Sequence, residues 1–264
     1  MTTRDTPWPE GTPAWVDLMV PDRRRAQDFY GALFGWDFAE GAPETGYYTQ
    51  ASVDGRVVAG IGEPQPGQPA PPPAWTTYIA VDDVDRVTEK AREAGAAVLM
   101  EPMDVMEFGR MAVLSDPTGA VFGLWQSGSH TGMRLANEPG SVTWNEVLTR
   151  DVDGAQDFYR TVFGYSYGDM SSEQMRYATM DLDGSSCAGI GDVPPEVSAD
   201  VPAHWQTYFA VPDADAAAAT VRERGGQVLH EPMDTPYGRM VIAAGPFGEV
   251  FGLMGPPPQP AGEG

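Results

Sequence analysis

A chain of 264 residues is long for one ordinary domain and fits two of about 100 to 130 residues, each able to bury a core of its own. Thirty-eight acidic residues against sixteen basic ones leave a net charge of −22, a field that repels nucleic-acid phosphates and anionic lipid. The only cysteine, Cys187, excludes an internal disulfide and any cysteine-rich zinc or iron–sulfur site.

Residues 1–12 hold Pro7 and Pro9 without apolar periodicity and read as a disordered tail. The opening MTTRDTPWPEG has no basic stretch ahead of an apolar core, and no later run is long and apolar enough to span a bilayer, so a cytoplasmic protein without membrane contact is expected. Ala14 to Val20 alternates and is closed by Pro21, which predicts a strand. Asp22 to Trp36, DRRRAQDFYGALFGW, places Ala26, Phe29, Tyr30, Leu33 and Phe34 at helical spacing behind an aspartate N-cap and before a glycine. Tyr47 to Val53 and Arg56 to Ile61 form a hairpin across Asp54-Gly55, because that pair supplies the positive torsions of a two-residue turn. This completes a βαββ unit with room for one more short strand.

Glu63 to Pro73 reads as an exposed, extended connector. The plan then restarts: strand Trp75 to Val81, helix Val84 to Ala94 stopped by Gly95, and strand Ala96 to Met100. Strands Arg110 to Leu114 and Val121 to Trp125 flank the turn Asp116-Pro117-Thr118-Gly119. A polar linker over 129–140 leads into a second copy, since DVDGAQDFYRTVFGY (Asp151 to Tyr165) repeats the helix of the first. The phenylalanines and tyrosines of both helices read as packing. Domains at 13–128 and 141–255 follow, with 256–264 a second disordered tail.

The DFY..LFGW motif after the first strand and DP.GA.FGLWQ at the end of the first domain resemble the vicinal oxygen chelate superfamily, which includes glyoxalases, extradiol dioxygenases and bleomycin-resistance proteins. The resemblance implies an α+β fold: four βαβββ modules forming two tandem glyoxalase-like domains, each a cupped mixed sheet with its ligand on the concave face. It also implies metal ligands on cup-facing strands. Those positions fall on Trp15 or Trp144, Thr76 or Gln206, Gly123 or Gly252, and around Ala59 to Ile61 or Gly189 to Gly191, which are poor ligands or none. The three histidines, His130, His204 and His230, have no chelating spacing. Neither metal nor cofactor is therefore expected.

Strand alternation sends Trp15, Asp17 and Met19 to the face that the resemblance makes the cup, and Trp144, Glu146 and Leu148 likewise. Thr76 and Tyr78, and His204, Gln206 and Tyr208, join them. Met103, Phe108, Met111 and Trp125 are expected to close the first cup, and Met233, Tyr237, Met240 and Met254 the second. An acid between large apolar neighbours needs a partner when buried. Arg110 and Arg239 on the Gly-Arg-Met strands, or a ligand's ammonium or hydroxyl, are the candidates.

The lining of aromatics and methionines suits a non-catalytic protein, a monomer or homodimer, that captures a small aromatic metabolite or antibiotic, cationic or neutral, as the drug-binding resistance members do. The alternative is a glyoxalase-, lyase- or hydroxylase-like enzyme using Glu146, Asp17, His204 or Tyr208 as acid and base.

Overall fold

Short alternating strands separated by capped helices leave each strand set one apolar face to bury, and the chain buries it under its own helices. The computed structural model describes residues 2–64, 72–173 and 175–257. In chain order come β1 (Thr2–Thr3), β2 (Pro13–Met19), α1 (Arg23–Phe34), β3 (Asp37–Glu40), β4 (Thr49–Val53), β5 (Arg56–Gly62), β6 (Trp75–Ala80), α2 (Val84–Glu93), β7 (Ala97–Val105), β8 (Gly109–Ser115) and β9 (Val121–Ser127). After β10 (Leu135–Ala136) follow β11 (Val142–Thr149), α3 (Val152–Phe163), β12 (Ser166–Asp169), β13 (Tyr177–Leu182), β14 (Ser185–Asp192), β15 (His204–Ala210), α4 (Ala214–Glu223), β16 (Gln227–Thr235), β17 (Gly238–Ala244) and β18 (Val250–Gly255).

Two eight-stranded mixed sheets result, ordered β3-β4-β5-β2-β6-β9-β8-β7 and β12-β13-β14-β11-β15-β18-β17-β16. Each unit is βαβββ, because β3 and β12 add the further short strand. At the centre of each sheet β2 runs antiparallel to β6 and β11 antiparallel to β15, which joins the two units of a domain. The strand begun at Ala97 does not stop at Pro102 but runs to Val105, and β16 likewise passes through Pro232. Both are sheet edges, where the missing proline N–H breaks no ladder.

All four helices begin on an aspartate, as expected for the two copies of the repeated motif. Asp22, Asp83, Asp151 and Asp213 each accept a hydrogen bond from the backbone N–H three residues on. α1 and α3 end on Gly35 and Gly164 at φ 70° and 80°, the left-handed torsions that favour glycine.

The sheets sit back to back. Thr77 of β6 and Thr207 of β15 both donate to the buried Asn145 Oδ1, at 2.9 and 3.0 Å. Helix α1 packs on α4, and α2 on α3. One core therefore joins the first half of domain one to the second half of domain two, with Phe34 and Phe209 at 4.9 Å between ring centroids. Tyr30 donates to Glu249 Oε1 across this junction at 2.8 Å and accepts from the Trp75 indole at 3.1 Å. The helix aromatics are packing residues, as their spacing predicts. Because Thr77 and Thr207 face the junction, their strand neighbours Tyr78 and Gln206 face outward, one cup on each side of the molecule.

Two expectations are corrected. Residues 2–12 are not a loose tail: β1 pairs with β10, the Trp8 indole donates to Met133 O at 2.9 Å, and Gly11 N–H bonds Ala80 O at 2.8 Å. Nor is 129–140 a solvated linker, since it buries Met133, Leu135 and Ala136 against the first domain. Backbone amides in both stretches find partners in each other, which a reading by composition does not detect. The connector expected over 63–73 and the tail over 256–264 lie mostly outside the described residues.

Candidate functional site in two cups

Leu18 and Val16 point into the helix-covered core, so Trp15, Asp17 and Met19 point the other way. Register carries the pattern across the sheet. Trp15 stands opposite Tyr78, which stands beside Gly123; Trp125 stands opposite Met111, which stands opposite Met103. In the second sheet Trp144 lies opposite Tyr208, Glu146 opposite Gln206, and Leu148 opposite His204, while Met233, Met240 and Met254 form the matching row. Register thus sets these strand positions on one face of each sheet. Trp15, Asp17, Tyr78, Trp125, Glu146, Gln206 and Tyr208 are buried, and Met19, Met111, Trp144, His204 and Met240 half-buried. Met103, Met233 and Tyr237 are exposed at the rims, Tyr237 at 65%. Phe108 and Tyr237 belong to the β7–β8 and β16–β17 turns.

On each floor a tryptophan, two tyrosines and an acid form one hydrogen-bond chain. In the first cup the Trp15 indole donates to Tyr48 Oη at 3.0 Å, and Tyr48 and Tyr78 both donate to Asp17 Oδ2, at 3.1 and 3.3 Å. In the second the Trp144 indole donates to Tyr177 Oη at 2.8 Å. Tyr177 and Tyr208 then donate to separate oxygens of Glu146, each at 2.7 Å. The expectation that Arg110 or Arg239 neutralises these acids is overturned. Arg110 is held by Asp85 and Asp104, and Arg239 by Asp215 and Asp234, all outside the cups.

Glycines make room for the phenols. A Cβ on Gly60 would stand 1.9 Å from Tyr48 Oη, and one on Gly189 2.0 Å from Tyr177 Oη. On Gly123 and Gly252 it would stand 2.1 and 2.0 Å from the rings of Tyr78 and Tyr208. Burial raises the Asp17 carboxyl to about 7, against the pull of its two tyrosines, and raises Glu146 for the same reason. Burial, reinforced by the neighbouring acids, holds Tyr48, Tyr78 and Tyr208 well above the ordinary phenol value, so they remain donors.

Three cup atoms are buried without a hydrogen-bond partner: Asp17 Oδ1, His130 Nε2 and Gln206 Nε2. His130 belongs to the stretch after β9 and sets its ring edge-on to Trp15, with centroids 4.4 Å apart. Burial lowers its pKa to about 4, so it is neutral. Sequence reasoning missed Tyr48, Tyr177 and His130. The tyrosines lie 129 residues apart, as do Trp15 and Trp144, and that shared offset was the available signal.

Two clefts border the second cup's network, each sharing one residue with it. One of about 290 Å³ is lined by Gln156, Tyr167, Arg176 and Tyr177, and one of about 480 Å³ by Trp8, Met133, Trp144 and Cys187 among others. Neither contains Asp17 or Glu146.

Similarity to known proteins covers nearly the whole chain. It is 42% identical over 255 residues to CFP32 of Mycobacterium tuberculosis, a protein named provisionally as a glyoxylase, covering 95% of this chain and 97% of that one. It is 38% identical to the anthracycline biosynthesis protein DnrV of Streptomyces peucetius, covering 92% and 93%. Among solved structures, the Mn(II)-bound glyoxalase of Novosphingobium aromaticivorans superposes with a TM-score of 0.64 at 16% identity, over 94% of this chain and 83% of that one. The 2,2',3-trihydroxybiphenyl 1,2-dioxygenase of Sphingomonas wittichii reaches 0.65 at 13%, over 94% and 91%.

Such neighbours raise the question of a metal, and the cup residues do not fit one. Each cup offers one carboxyl group and two phenols held protonated, to which the first adds only the His130 imidazole and the second only the Gln206 amide, too few donors to hold a metal. Among the described residues no three His, Cys, Asp or Glu side chains cluster as ligands. With the family description fitting residues 12–124 and 130–253, the chain belongs to the Glyoxalase/Bleomycin resistance protein/Dioxygenase superfamily.

Proposed function

We propose that the protein captures a small, flat aromatic molecule in a cup without converting it. One observation carries this reading: both cups repeat a tryptophan–tyrosine–acid–tyrosine chain, and each leaves a buried polar atom unpaired beneath aromatic side chains. Indole and phenol faces stack on a flat ring. A buried polar atom without a partner is rare in a native fold and is satisfied when a ligand brings the complementary group. The rim methionines Met103 and Met233 adapt to irregular ring systems. A cationic ligand gains from the acidic surface and from ring faces. The name of the anthracycline biosynthesis relative agrees with a polycyclic ligand.

Titration of planar aromatic polyketides against tryptophan fluorescence tests this. Saturable quenching with unchanged ligand after release is the expected result. Stoichiometric manganese, iron, nickel or zinc in protein purified without chelator would overturn it.

A second reading rests on Asp17, whose carboxyl titrates near neutrality with one oxygen unengaged, a suitable state for proton transfer. It requires that a substrate pass His130. Turnover that vanishes in Asp17→Asn and follows a pKa near 7 would favour it over capture.

A further inference from the structure

The two cups differ in what covers them and in what they leave unpaired. Over the first, His130 bonds its backbone N–H to Phe108 O at 3.0 Å and gives its carbonyl to the Trp125 indole, also at 3.0 Å. Its ring stands on Trp15, which is 3% exposed. The first cup is thus closed by the chain's own next residues. In the second cup Met254 takes the place of Trp125, no ring packs on Trp144 among the described residues, and Trp144 is half-buried.

The second cup also holds an unpaired amide donor. Gln206 lies directly opposite Glu146 on the cup face and is 3% exposed, and its amide nitrogen has no hydrogen-bond partner. Both Glu146 oxygens are taken by tyrosines, and both tyrosine hydroxyls are spent on Glu146. The corresponding residue of the first cup is Thr76, which has no such amide. A group that satisfies Gln206 must therefore bring an acceptor. Arg239 is committed to Asp215 and Asp234 outside the cup, and a net charge of −22 disfavours an anionic acceptor over an uncharged one.

We propose that the second cup is the one that takes a ligand, and that the ligand is a flat aromatic molecule bearing an uncharged acceptor oxygen, such as a ketone, quinone or amide carbonyl, received by the Gln206 amide. The inference rests on the capture reading and adds to it the cup and the polar group of the ligand. It also limits the role of charge: a cationic ligand gains from the surface field, and its carbonyl fixes its orientation.

Xanthone and xanthene share a ring system and differ in the carbonyl, so they separate stacking from acceptance. With the full-length protein, xanthone is expected to bind about five- to tenfold tighter than xanthene, the worth of one net hydrogen bond. Gln206→Met, close in volume, is expected to bind both equally with an unchanged thermal midpoint. Gln206→Thr, which imports the residue type of the first cup, replaces it should the methionine variant not fold. Trp144→Phe is expected to weaken both compounds and Trp15→Phe neither. Retained preference in the Gln206 variants, equal binding by the unmodified protein, or a loss confined to Trp15→Phe overturns this inference while leaving capture standing. Saturable binding of neither compound overturns capture, and this inference with it.

Discussion

One methylene separates the acids of the two cups, and it changes how each is held. Glu146 reaches far enough to give each tyrosine its own oxygen, at 2.7 Å both times. Asp17, one carbon shorter on the same strand position, meets both phenols with Oδ2 alone at 3.1 and 3.3 Å and leaves Oδ1 unpaired. Short bonds to a charged oxygen offset the cost of burying it, and long shared ones do so poorly. The repeat therefore preserves the residue types of the network while side-chain length sets its electrostatics.

The largest expected effect separates the cups by pH. An acid that takes up its proton more readily folded than unfolded stabilises the fold at low pH and loses that contribution as the pH rises through its folded value. For Asp17 the loss runs from about its ordinary value of 3.8 up to about 7. It is on the order of 4 to 5 kcal/mol, at about 1.4 kcal/mol for each pH unit. Asp17→Asn removes the proton uptake and keeps an acceptor for the tyrosines. Relative to the unmodified protein, its stability to urea is expected to improve between pH 4 and about pH 7 and to level off above that. Glu146→Gln carries the same sign in the second cup, where the shorter bonds hold the charge better, so its slope is expected to be shallower. Equal slopes would mean that the added methylene is electrically irrelevant.

Next in size is the effect of filling the cradles. Gly252→Ala and Gly123→Ala each force a Cβ into a tyrosine ring about 2 Å away. Overpacking of this kind costs about 1 to 3 kcal/mol, and lifting the ring also breaks its bond to the acid. The substitution at Gly252 is expected to cost more, about 3 kcal/mol, because Tyr208 holds its acid at 2.7 Å where Tyr78 holds Asp17 at 3.3 Å. Chemical denaturation of the two variants at pH 6 measures the difference.

What was readable in the sequence follows from period and repeat. The starts of α1 and α3 were legible because an aspartate before an apolar stripe satisfies free amides at a fixed spacing. Cup faces were legible because side chains alternate, which placed Trp15 with Asp17 and Trp144 with Glu146. Tyr78 and Tyr208 came out on the same faces, but the other partners of those acids did not, since a tyrosine on β13, or just ahead of β4, reaches the acid only after two strands are paired in register. Arg110 looked suitable by charge alone, yet β8 turns it toward Asp85 of α2 and Asp104 of the edge strand β7. His130 escaped for a related reason: a polar stretch between domains reads as linker unless its backbone partners are known, and Phe108 and Trp125 supply them.

The smallest expected effect tests the same contrast one atom at a time. Tyr177→Phe strands Glu146 Oε2, because no other group shares that oxygen, and frees an indole N–H on the half-exposed Trp144. Losing a short hydrogen bond to an acid is expected to cost about 2 kcal/mol. Tyr48→Phe leaves Asp17 Oδ2 still bonded to Tyr78, so its cost is set mainly by the stranded Trp15 N–H, about 1 kcal/mol. It also withdraws a donor from Asp17, which moves that carboxyl further up and steepens the loss of stability with rising pH. In carboxyl-carbon NMR, Asp17 is expected to titrate at higher pH in Tyr48→Phe and to stay unmoved in Tyr177→Phe. An Asp17 titration that moves in both variants, or in neither, would show that the networks are not the separate units their bond lengths describe.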